Sequence, residues 1–120
     1  MNKTNIPMSP PQNITSERIT ELVSRLQLKI NEYYTKYYSY SVPDKFIITE
    51  GKRYFKIIKT NLSNRSVYAF VDKTTGDILK PASWAAPTKH ARGNVNENDY
   101  GMSGCGPYGI NYLNYVNRGW

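Results

Sequence analysis

Two groups of residues in this chain have the types and spacing to do chemistry. The first is Cys105 with His90 and either Asp77 or Asp99. A thiol, a base to take its proton and a carboxylate to orient that base make a minimal set for thiolate catalysis. SerGlyCysGlyPro would leave the thiol accessible, yet no nucleophile-elbow signature surrounds it, and a single Cys and a single His occur in most small domains. The second group is the run from Ile78 to Asn96, which carries Lys80, Lys89, His90 and Arg92 without one carboxylate and has Trp84 inside it. Uncompensated cations hold phosphates, and an indole can stack on a base. The residues therefore point to binding without catalysis, with Lys80, Trp84, Lys89, His90 and Arg92 as the contact set for nucleic acid or nucleotide phosphates. The competing use of Trp84 is as a core plug where the chain leaves a strand, with the lysines simply solvated.

Other chemistry is excluded or weak. SerGlyCysGlyProTyrGly is not a Walker A loop, and no dinucleotide-binding fingerprint occurs; its glycines suit a turn better than an anion nest. With 1 Cys and 1 His, an intrachain disulfide and a Cys/His zinc site cannot form, and no cofactor is expected. A net charge of +7 calls for a polyanion, an acidic protein or an acidic membrane surface as partner. No apolar run approaches the ~18 residues of a membrane span, and the N-terminus has no apolar signal core. A soluble, intracellular protein is expected.

The elements that must position these residues follow from periodicity. Residues 1–13, with Pro7, Pro10 and Pro11 and no period, read as a flexible tail, and residues 14–120 as one α+β domain. Thr15 is placed as a helix N-cap, with Ile14 stapling onto Ile19. Ile19, Leu22, Val23, Leu26, Ile30, Tyr33, Tyr34 and Tyr37 fall at three-and-four spacing, which predicts one long amphipathic helix ending before Pro43. The tyrosines at 33, 34, 37, 38 and 40 suit packing on a sheet, with Tyr38 and Tyr40 off the apolar stripe and free for an exposed role.

Beyond Pro43 the period becomes extended. Lys45–Thr49 and Arg53–Lys59 form a hairpin around GluGlyLys, and a third strand follows the polar turn at 61–65. In that strand Val67, Ala69 and Val71 should share one face, with Tyr68 and Phe70 on the other. LysThrThrGlyAsp then closes a hairpin with Gly76 in the left-handed position, leading to a fourth strand from Ile78. A long N-terminal helix across a four-stranded antiparallel meander, with an irregular C-terminal third, is the predicted fold. In that third, AlaAlaProThr and residues 93–101 read as loops, the second a mobile segment or lid. Residues 109–116 suit a short helix, and Trp120 is expected to pack back on the body or to anchor a neighbouring subunit.

VYAFVDKTTGDILKPASWAAPTKHARGN, residues 67–94, resembles the core of a family of small proteins of unassigned activity encoded by tailed bacteriophages and other large DNA viruses, with a weaker echo in GlyProTyrGly at 106–109. The resemblance implies a viral protein acting in the host cytoplasm or carried with the virion, and supplies no catalytic residues. The expected function is that of a small basic viral protein that binds nucleic acid or nucleotides without catalysis. The alternative is a minor virion component or a factor that docks on a host protein.

Overall fold

The computed structural model describes residues 11–110, with side chains from Thr15 onward. Helix α1 spans Pro11–Tyr37. Proline is well suited to a first helical turn, where its missing N–H costs nothing. The helix therefore starts upstream of Thr15, which is a buried residue within it rather than its cap. The expected staple involves the Ile14 side chain, which lies outside those described, as do residues 1–10 of the expected tail. Ile19, Leu22, Leu26 and Ile30 are each at most 1% exposed. Burying four such side chains stabilises by roughly 6–12 kcal/mol as an upper figure, enough to fix the helix on its sheet. Val23, Tyr33 and Tyr34 border this stripe, whereas Tyr37 turns out to be exposed.

Among the described residues the sheet has five strands where four were expected. In chain order they are β1 Lys45–Glu50, β2 Tyr54–Asn61, β3 Asn64–Asp72, β4 Asp77–Pro81 and β5 Pro87–Asn94, each antiparallel to the next in one meander. The fifth strand is the basic arm itself, paired through Asp77↔Asn94, Ile78↔Gly93 and Leu79↔Ala91. ThrLysHisAlaArgGly shows no apolar alternation because it forms a sheet edge, where charged side chains discourage pairing with other chains. A short 3₁₀ turn, Met102–Gly104, and a small hairpin of β6 Cys105–Gly106 and β7 Gly109–Ile110 complete the described fold. Residues 109–110 are thus a strand rather than the start of a helix; the rest of the expected 109–116 helix and Trp120 lie outside the described residues.

Each turn has a local cause. Asp72 Oδ1 accepts the N–H groups of Thr74 and Thr75 at 2.8 and 3.1 Å, and Gly76 takes φ +80°, the left-handed conformation predicted for it. The β2–β3 turn between Asn61 and Asn64 places Leu62 at φ 55°. Between β2 and β3 the register slips, with Ile57 opposite Ala69 and Ile58 opposite Val67, so Tyr68 is an extra, bulged residue. That bulge corrects the alternation read from the sequence. Tyr68, Ala69 and Val71 all join the helix-facing core, while Phe70 is buried outside it, against Tyr54.

Residues 95–101 are held down rather than forming a lid. Val95 is fully buried, and the Arg18 guanidinium donates to the carbonyls of Val95 and Glu97. Arg18 and Arg25 also lie 4.0 and 4.6 Å from the centroid of the Tyr100 ring. At Gly101, φ is +85° and an added Cβ would sit 2.4 Å from Ile78 Cδ1, so any other residue would be strained here and would push on Ile78.

Candidate nucleic-acid interface

The Cys105 set does not assemble a nucleophile. Cys105 is buried, and burial, as the largest cause, pushes its thiol up to about 12. His90 is exposed on the edge strand β5. The Asp99 carboxylate accepts the N–H groups of Gly101 and Ser103 at 3.0 and 2.9 Å, and Asp77 Oδ1 accepts from Asn94 at 2.9 Å. The glycine-rich stretch is no anion nest either, since Gly104 N–H bonds the Gly101 carbonyl and Gly106 N–H the Tyr68 hydroxyl. Among the described residues, no group of three or more His, Cys, Asp or Glu side chains could hold a metal. No helix there is long and apolar enough to cross a membrane.

The basic group is arranged differently from its spacing in the sequence. Trp84 lies in the 82–86 connection, which is closed by Ala82 and Ser83 N–H donating to the Ala86 carbonyl at 2.9 and 3.1 Å. This short loop between β4 and β5 carries the indole out over the sheet, 49% exposed. The cations over its ring come from other strands. Lys56 of β2 is 4.5 Å and Arg65 of β3 5.7 Å from the ring centroid, both within cation–π reach. Lys56 also lies 5.6 Å from the Phe70 ring, Phe70 meets Tyr54 edge to face at 5.8 Å, and Arg53 lies 5.2 Å from Tyr54. Cations and rings therefore form one chain of contacts across the sheet face away from the helix, in the order Arg53, Tyr54, Phe70, Lys56, Trp84, Arg65.

Of the residues singled out in the sequence, Lys89 and His90 are exposed on β5, whereas Arg92 is half-buried on the same strand. Lys80 is half-buried on β4, lining a shallow depression with Lys59, Ser66 and Tyr108. Lys56 and Arg65 were missed. The signal available for Lys56 was the alternation in ArgTyrPheLysIleIleLys, which separates Tyr54 and Lys56 from the core-facing Phe55 and Ile57. Nothing in the sequence spacing tied either cation to Trp84.

The profile of a family of unknown function, DUF7717, matches residues 6–105. The chain belongs to that family. The match covers the helix, the five-stranded sheet and the chain as far as Cys105, so the DUF7717 unit includes both Trp84 and the cations around it. No curated protein and no solved structure gives a match.

Proposed function

We propose that this DUF7717 protein binds single-stranded nucleic acid, without catalysis, on the sheet face that carries Trp84. The observation behind this reading is the half-exposed indole held under Lys56 and Arg65. Full burial of an aromatic side chain stabilises a fold by roughly 1.5–3 kcal/mol, and a Trp left half in water forgoes part of that gain. A ring flanked by two cations offers a base a stacking face and its neighbouring phosphates a counter-charge. Lys80, Lys89 and Arg92 extend positive charge along β4 and β5, with the His90 ring beside Lys89 in sequence, and the net charge of +7 favours a polyanion. A nucleotide or an oligonucleotide would present the same base and phosphate.

The viral setting, and with it a place in the host cytoplasm or the virion, rests on the resemblance of residues 67–94 to the phage-encoded family. A minor virion component or a factor docking on an acidic host protein could draw on the same net charge. What favours nucleic acid over these is the pairing of a stacking face with flanking cations, which meets a base and its phosphates together.

The deciding experiment pairs stability with binding in Trp84→Ala. The expected result is a melting temperature close to that of the unchanged protein, with affinity for a fluorescent oligothymidylate weakened by about 1–3 kcal/mol. Unchanged affinity in a folded variant would remove the indole from the interface.

A further inference from the structure

Resting on the reading of Trp84 as a stacking face, we infer that the strand continues from Trp84 around the end of the β2–β3 hairpin into a second stacking site, the tyrosine-lined cleft between the end of α1 and the β6–β7 turn. This cleft has a volume of about 610 Å³. Its walls include Tyr33, Tyr34, Tyr38 and Tyr40 from the end of α1 and the turn that follows it, and Tyr108 from the β6–β7 turn. The Tyr33 and Tyr108 hydroxyls are 2.9 Å apart and their rings meet edge to face, fixing the two sides of the cleft against each other. Tyr108 is nevertheless 78% exposed and Tyr40 fully exposed. Large aromatic surfaces left in water beside a cation are what a base would cover.

The continuity is carried by shared walls. Lys59 lines the tyrosine cleft and also two adjoining shallow depressions, one of which includes Lys80 and the other Arg65. Both of those depressions include Ser66, which in turn borders the depression beneath Trp84. From Trp84 the way to Tyr108 thus leads past Ser66 and then past either Arg65 or Lys80 to Lys59, with aromatic faces at both ends and cations between. Asp44 opposes this charge, its carboxylate 3.9 Å from Lys59 Nζ. It also accepts from the Asn61 amide at 2.9 Å. That order of groups matches a single strand, whose bases can splay onto rings while its phosphates follow the cations. A duplex keeps its bases stacked inside.

The test uses the full chain with labelled oligothymidylates and oligouridylates of about 4 and about 16 nucleotides, lengths that bracket the site sizes of small single-strand-binding folds. The expected result is that the unchanged protein binds the longer strand at least about tenfold more tightly than the shorter, and that Tyr108→Ala and Tyr40→Ala each remove most of that gain. Both side chains are exposed, so their loss leaves the core intact, and Lys59→Gln should lower the salt slope for the longer strand by about one. If Tyr108→Ala, Tyr40→Ala and Lys59→Gln all match the unchanged protein on the longer strand while Trp84→Ala weakens it, the second site is refuted and the Trp84 site stands. If the unchanged protein binds neither length, or binds polyglutamate as tightly as the oligonucleotides, both readings fall in favour of an acidic protein partner.

Discussion

The hydroxyl of Tyr68 donates to the Gly106 carbonyl at 2.7 Å and accepts the Gly106 N–H at 3.0 Å. This one side chain thereby satisfies both backbone groups of a buried residue 38 positions away, and ties the β6–β7 hairpin to the third strand of the sheet. The bulge opposite Ile57 and Ile58 is what turns Tyr68 inward to make the pair. It also sets the position of Tyr108, two residues beyond Gly106, at the mouth of the tyrosine cleft.

Tyr68→Phe keeps the ring and its edge-to-face contact with Phe46 while leaving the Gly106 N–H and C=O without that partner. An unsatisfied buried polar group costs about 1–3 kcal/mol, so the variant should lose about 2 kcal/mol or more of stability. Urea denaturation measures this directly. Hydrogen exchange should show the loss of protection concentrated at residues 105–110, and a loss spread evenly over the sheet would refute the local pinning.

Cys105 gives the pH dependence. Its folded thiol is raised from 9.0 to about 12 by burial. Below pH 9 the thiol is protonated in both folded and unfolded chains, so its contribution to stability is fully present. As pH rises from about 9 towards 12 the unfolded chain releases a proton that the folded chain retains, and stability falls. Tyr68, which burial also raises well above its ordinary 10.0, acts in the same direction at higher pH. The native thiol should therefore resist alkylation at neutral pH until the protein is unfolded, and the unfolding midpoint should decline above pH 9. Cys105→Ala should flatten the first part of that decline. Rapid alkylation of the folded protein at pH 7 would contradict the burial.

How far the fold was legible follows from which residues carry a period. Ile19, Leu22, Leu26 and Ile30 repeat at helical spacing, and Phe55 and Ile57 alternate, so the helix and the first strands could be read directly. The fifth strand could not, because its core-facing contributions are few and its exposed positions are Lys89 and His90 on a sheet edge. The Tyr68 bulge was hidden because a register slip is a property of two strands together and leaves no mark on either one. For the site, the charge and Trp84 were visible as a local run. The cations that meet the indole come from β2 and β3, 28 and 19 residues earlier, and only the meander brings Lys56 and Arg65 to it.

That distinction between sequence neighbours and spatial neighbours can be tested with salt. Removing one cation that neutralises a phosphate should reduce the slope of log affinity against log salt by about one. Lys56→Gln with Arg65→Gln removes the two cations that flank Trp84, and should flatten the slope by about two and weaken stacking as well. Lys89→Gln with Arg92→Gln removes two charges of β5 that lie near Trp84 along the chain. Lys89 is exposed while Arg92 is half-buried, so this pair should flatten the slope by about one, through Lys89. Oligothymidylate titrations from low to moderate salt, on variants whose melting curves show an intact fold, separate the two pairs. A larger change in the second pair than in the first would move the interface from the indole and its flanking strands to the β5 edge.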